Sequence, residues 1–147
     1  MPQLLKNFIP TLTRSKMPII TNFTLPSSPA ALSLPTDNTP FFLSFHASPD
    51  PNTGKPWCPD VVAALPHLTE VFSASNAPQV TFVEVGQKDE WREPSNVYRT
   101  TWKLTSIPTL VRFERVDGQV KEVGRLVEGE ILDRARLNAF VGEPSRI

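Results

Sequence analysis

From residue 41 to residue 141 the chain alternates short apolar runs with helical patterns and then closes on a hairpin, an order that few architectures accommodate. Residues 41–46, Phe-Phe-Leu-Ser-Phe-His, form an aromatic-rich run bounded by Pro40 and the loop 49–54. A run apolar on both sides predicts a central strand covered on both faces. Residues 61–65, with Leu68, Val71 and Phe72 further on, place apolar side chains at the spacing of a buried helical stripe. Another strand is expected at 80–85, stopped by Gly86, and another helix at 96–104, with the charged segment 87–94 a solvated loop. Residues 109–114 alternate in period two and meet 120–123 across Asp117-Gly118, a hairpin turn pair. A terminal amphipathic helix is expected over 130–141, with Ile131, Leu132, Ala135, Leu137 and Phe140 on its inner side. Upstream, 19–23 predicts a first strand and 29–34 a short helix. These elements imply an α/β sandwich with a central mixed β-sheet flanked by helices.

At 147 residues the chain suffices for one domain with a real core and is short for two. Fifteen basic and fifteen acidic residues cancel, so no basic field invites nucleic acid, and we expect no nucleic-acid partner. No apolar stretch approaches the roughly 18 residues of a membrane span, and a soluble monomer is expected. Twelve of the sixteen prolines lie in residues 1–66, which makes the N-terminal third loop-rich. No acidic residue precedes Asp37, while Lys6, Arg14 and Lys16 are positive, a composition that suggests a mitochondrial presequence. Pro2, Pro10 and Pro18 interrupt the amphipathic helix such a signal needs. The expectation is therefore a disordered extension at 1–17, a domain at 18–147 and a cytoplasmic location, with mitochondrial targeting the alternative.

Cys58 is the only cysteine, which forbids an internal disulfide and any cysteine-based zinc site and suits a reducing compartment. Pro59 behind it fits the first position of a helix, where the N–H has no partner anyway and φ is preset. Cys58 thus stands at the N-terminus of the 59–72 helix, where unpaired N–H groups and the positive end of the macrodipole favour a thiolate. Sites of this kind bring a thiol from about 8.5 to roughly 7 or below. Lys55 aids ionisation and Asp60 opposes it. Two dispersed histidines and one cysteine give no metal-ligand spacing, and the six scattered glycines form no phosphate-binding loop.

The order of elements, together with Ile107-Pro108-Thr109 just before the hairpin and Pro66 eight residues after Cys58, resembles the thioredoxin superfamily. Within it the chain is similar to the thioredoxin domain-containing protein 17 family of cytosolic disulfide reductases, whose motif is Trp-Cys-Pro-Asp-Cys. Trp57, Cys58, Pro59 and Asp60 reproduce four of its five letters, and Gly54-Lys55, Val85-Gly86, Lys88, Trp91, Pro94, Asn96 and Arg99 also look like that family. The similarity covers roughly residues 18–142. It implies a thioredoxin-like three-layer sandwich at 18–147 with Cys58 as nucleophile. Pro108 would be a cis-proline opposite it, and Trp57, Pro59, Asp60, Ile107 and Pro108 would form a substrate platform.

The chain departs from the family at Val61, where the second motif cysteine belongs. In the dithiol cycle that cysteine resolves the mixed disulfide, a step valine cannot perform. Three readings follow. The first is a thiol–disulfide oxidoreductase acting on disulfide-containing small molecules or proteins by a monothiol cycle; it binds no cofactor, and an external thiol such as glutathione serves as co-substrate. The second is a redox-deficient binding module that holds an extended peptide. The third is a peroxide-responsive sensor through a sulfenic acid at Cys58, ranked last because no activating arginine and threonine constellation surrounds the cysteine. Trp57 is either a partner-contact aromatic or a plug over the helix end. Asp60 either tunes the thiol or compensates the dipole. His46, ending the strand that leads to the loop, is a candidate to approach Cys58, against the plainer reading of a solvated or hydrogen-bonded imidazole.

Overall fold

The computed structural model describes residues 19–21, 23–34 and 39–142. The expected extension at 1–17, and residues 143–147 of the expected domain, lie outside the described residues. The elements are β1 (Ile19–Ile20), a 3₁₀ turn (Pro29–Ala31), β2 (Phe41–His46), α1 (Pro59–Phe72), β3 (Gln79–Glu84), α2 (Lys88–Arg92), α3 (Val97–Thr100), β4 (Thr109–Val116), β5 (Gln119–Val127), α4 (Glu128–Leu132) and α5 (Arg134–Val141).

The five strands form one sheet in the order β1-β3-β2-β4-β5. β3 runs parallel to both β1 and β2, whereas β4 runs antiparallel to β2 and β5, so the sheet is mixed as its connections require: a helix-bearing crossover between β2 and β3, a tight turn between β4 and β5. Every residue of β2 is buried, as its unbroken apolar run predicts for a strand at the sheet's centre.

Two cores cover the two faces. On one, Phe42, Val80, Leu110 and Leu126 of the sheet meet Ala64, Leu68 and Phe72 of α1, Ile131 of α4, and Leu137 and Val141 of α5. Phe42 is fully buried, with the Phe72 ring centroid at 5.3 Å and that of Phe140 at 5.8 Å. On the other face Phe41, Leu43, Phe45, Val83, Val111 and Phe113 pack with Leu32, Leu34, Trp91, Trp102 and Leu104. The period-two alternation of β2 assigns 41, 43 and 45 to one core and 42 to the other. The result is a thioredoxin-like α/β fold with helices on one face of the mixed sheet and short helices and connecting segments on the other.

Five expectations are corrected. Residues 87–94 are not a solvated loop: they contain α2, because Glu90 Oε1 accepts the Gln87 N–H at 2.7 Å to cap it and Trp91 is buried. The helix expected at 96–104 is only the four residues of α3, since Lys103 turns into the left-handed region at φ 61° and ends it. The terminal helix is two helices. Asp133 Oδ1 accepts the Arg136 N–H at 3.2 Å and starts α5 afresh, which leaves Leu132 and Ala135 exposed and buries Val141. Of the strand expected at 19–23, Ile19–Ile20 is strand, Thr21 and Phe23 are not, and Asn22 lies outside the described residues; the helix expected at 29–34 is the 3₁₀ turn.

Candidate functional site

The β2–α1 connection carries the motif, and its shape follows from local chemistry. The Gly54 N–H donates to the Asp50 carbonyl at 2.7 Å and Gly54 adopts φ 75°, a conformation in which glycine has no Cβ to clash. The Asp50 N–H returns to the Lys55 carbonyl at 2.7 Å, and Asp50 Oδ1 accepts the Asn52 N–H at 2.8 Å. The loop therefore closes on itself and delivers Trp57 and Cys58 to the start of α1.

Cys58 is the N-cap of α1, with extended backbone at φ −98° and ψ 119°, and its carbonyl accepts the N–H groups of Val61 at 3.0 Å and Val62 at 3.2 Å. Pro59 occupies N1, where its missing N–H costs nothing. The thiol is half-buried. Its Sγ lies 4.0 Å from the Ile107 carbonyl oxygen, two residues before β4. The Ile107–Pro108 peptide bond is cis, and both residues are buried. Pro59 and Asp60 are exposed on the first turn, and Val61, in the place of a second motif cysteine, is fully buried.

Trp57 is half-buried, and its indole Nε1–H donates to the Gly86 carbonyl at 2.9 Å. With Asp50, Thr53, Lys55, Pro56, Pro59 and Val62 it lines an open groove of about 620 Å³ beside the cysteine. All of Cys58, Trp57, Pro59, Asp60, Ile107 and Pro108 thus lie at one end of the sheet. The sequence did not single out Ser48, buried in the loop just past β2, which bonds both Gly86 and Trp57. The signal was available: β2 and β3 pair His46 with Glu84, and two further steps in that register set Ser48 opposite Gly86.

His46 does not reach the cysteine. It is buried, its Nε2 shares a 2.7 Å hydrogen bond with Ser44 Oγ, and its ring lies edge-on to Phe82 at 4.7 Å. Burial pushes its pKa down from 6.5 to about 4, so the imidazole is neutral near pH 7. Both it and Ser44 sit one step out of phase with Phe45, on the α1 face. His67 is half-buried on α1, with Nδ1 3.1 Å from Arg134 Nη2. Among the described residues no group of three or more His, Cys, Asp and Glu side chains is placed to hold a metal ion, and no helix is long and apolar enough to cross a membrane.

The family resemblances in the 87–104 segment are structural ties. The Arg99 guanidinium stacks at 4.0 Å over the Trp91 ring while its Nε donates to the Trp91 carbonyl at 2.5 Å. Asn96 caps α3 through the Tyr98 N–H at 2.7 Å and donates to the Glu90 carbonyl at 2.8 Å.

Compared with known proteins, residues 27–141 match the thioredoxin domain of the thioredoxin domain-containing protein 17-like family. A thioredoxin domain-containing protein of Schizosaccharomyces pombe is 35% identical over 105 residues, covering 71% of this chain and 84% of that protein. Thioredoxin domain-containing protein 17 of Homo sapiens is 37% identical over 73 residues, covering 49% and 58% of the two chains. Thioredoxin-like protein Clot of Arabidopsis thaliana is 36% identical over 76 residues, covering 50% and 57%. The chain spans a little over half the length of the human and plant proteins.

Proposed function

The chain belongs to the thioredoxin domain-containing protein 17-like family, and from that premise we propose that it is a thiol–disulfide oxidoreductase with a single active-site cysteine. The observation that supports this reading is the half-exposed Cys58 at the head of a 14-residue helix, its sulfur 4.0 Å from the carbonyl before Pro108. An incoming disulfide is met there by a nucleophile, by the positive end of a helix and by backbone groups.

The cycle runs in steps that balance. The Cys58 thiolate attacks one sulfur of a substrate disulfide, forming a mixed disulfide and expelling the other sulfur as a thiolate, which takes a proton from solvent. An external thiolate then attacks the Cys58 sulfur, releasing the second substrate thiol and leaving Cys58 bonded to the external thiol. A second external thiolate frees Cys58 and leaves as the symmetric disulfide. One substrate disulfide is reduced and two external thiols are oxidised. Val61 takes no part, because a valine has no sulfur to offer. Glutathione is the abundant thiol of that chemistry. A cytoplasmic setting keeps Cys58 reduced between cycles, with a monomer acting on small-molecule or protein disulfides and requiring no bound cofactor.

The test is mass spectrometry of the protein incubated with a peptide disulfide, followed by turnover with and without glutathione. A Cys58 adduct that accumulates without glutathione and clears with it is the expected result, and Cys58→Ser abolishes both. Absence of any adduct at neutral pH overturns the oxidoreductase reading in favour of a binding module.

A further inference from the structure

We propose that Ser48 is a positioning residue for the Cys58 chemistry, acting by fixing the Trp57 indole. This rests on the oxidoreductase reading. Ser48 is buried at 8% exposure and touches the site through three bonds. Its Oγ accepts the Gly86 N–H at 2.9 Å, its own N–H donates to the Gly86 carbonyl at 3.2 Å, and its carbonyl accepts the Trp57 N–H at 3.3 Å. The same Gly86 carbonyl accepts the Trp57 Nε1–H at 2.9 Å. Trp57 is therefore held at backbone and ring by one pair, Ser48 and Gly86, in register at the ends of adjacent strands.

Every link has a physical reason to be tight. Gly86 stands at φ 99°, and a Cβ there would fall 2.6 Å from Glu90 Oε1, so the corner accepts glycine alone without shifting α2's cap. Removing the Ser48 hydroxyl leaves the Gly86 N–H without that acceptor; the Val85–Gly86 peptide that carries this N–H and the Gly86–Gln87 peptide whose carbonyl holds the indole meet at the Gly86 Cα, so a readjustment of the backbone at Gly86 moves the indole's acceptor. Trp57 is the residue before the nucleophile and walls the groove beside it. Thiol–disulfide exchange needs three sulfurs nearly in line, and misplacing reacting atoms by about 1 Å costs up to ~100-fold in rate.

The experiment compares the full chain with Ser48→Ala and Trp57→Phe. Three readouts are taken: the indole N–H resonance of Trp57, assigned from Trp57→Phe; the rate of Cys58 transfer onto a peptide disulfide; and Cys58 alkylation by iodoacetamide, a small probe that needs no guidance from the groove. Expected for Ser48→Ala are a displaced and faster-exchanging Trp57 indole N–H, a fall of about tenfold or more in disulfide exchange, and alkylation within about twofold of wild type. Trp57→Phe, which keeps an aromatic ring and the Ser48–Gly86 bonds but loses the indole donor, reproduces the kinetic loss and decides the matter should Ser48→Ala fail to fold. Unchanged exchange in either folded variant overturns the proposal, as does an unmoved indole resonance in Ser48→Ala. A wild-type chain that never forms the mixed disulfide overturns the oxidoreductase reading instead, and the indole resonance still decides whether Ser48 holds Trp57.

Discussion

Putting a cysteine back at position 61 tests how much of the dithiol machinery the scaffold retains. Val61 lies one helical turn after Cys58, its N–H bonded to the Cys58 carbonyl at 3.0 Å. Residues three apart on a helix hold their Cβ atoms about 5–6 Å apart, and a disulfide needs Cβ atoms about 3.5–4.5 Å apart, so a shift of the N-cap by about 1–2 Å closes the bond. The stability cost is set by burial: Val61 is fully buried, and Val61→Cys exchanges an isopropyl group for a smaller thiol, a loss of about 1 kcal/mol in the reduced protein. Closing a loop of four residues returns about 2 kcal/mol on the chain-entropy account. The oxidised variant is therefore expected to exceed its reduced form by about 2 kcal/mol and the parent chain by about 1 kcal/mol. Thiol counting after mild oxidation and urea titration with and without dithiothreitol measure both numbers. Coupling to a flavoprotein disulfide reductase and NADPH reads the gain of function, a turnover that no longer depends on added glutathione. Two free thiols remaining after oxidation, or a disulfide that forms without coupled turnover, would show that position 61 no longer faces Cys58 productively and refute the reasoning.

Two further outcomes follow from the geometry. His46 is neutral when folded, with a pKa of about 4 against 6.5 when unfolded, so the unfolded chain binds the extra proton as pH falls below 6.5 and stability drops through the window down to pH 4. The His46 share is about 3 kcal/mol; urea midpoints at pH 7.5 and 4.5 show it as the part of the acid loss missing from His46→Gln, and equal losses in both proteins refute the assignment. Gly86→Ala forces a Cβ to 2.6 Å from Glu90 Oε1 at φ 99°, and the strained backbone plus the disturbed α2 cap cost about 2–3 kcal/mol, measurable as a lower midpoint with reduced Cys58 exchange.

Legibility followed the range of the interaction. The apolar run 41–46 gave β2 its place at the sheet centre, and the Asp117-Gly118 pair gave the β4–β5 turn, where both residues adopt positive φ. Pro59 behind Cys58 gave the start of α1. These signals are local, and local propensity acts whatever packs against it. The 87–104 segment misled because its composition is polar while its order depends on Trp91, Asn96 and Arg99 bonding across several residues. His46 follows the plainer of its two readings, a hydrogen-bonded imidazole, because a strand alternates its faces: a residue adjoining the loop in sequence still lies opposite to Phe45, here against Ser44 and the edge of Phe82.

Sequence alone determined that this chain carries one thiol, at the head of a helix, with a valine where a resolving thiol would stand, for these are matters of residue identity and of neighbours along the chain. Tertiary structure alone decided that the sulfur lies 4.0 Å from the Ile107 carbonyl, that the Trp57 indole is tied to Gly86, and that His46 is sealed away from both. Those contacts join segments 49 and 29 residues apart. Only the pairing of β2 with β3 and β4 brings such segments to one end of a sheet, and that pairing is a property of the packed core rather than of any stretch of chain.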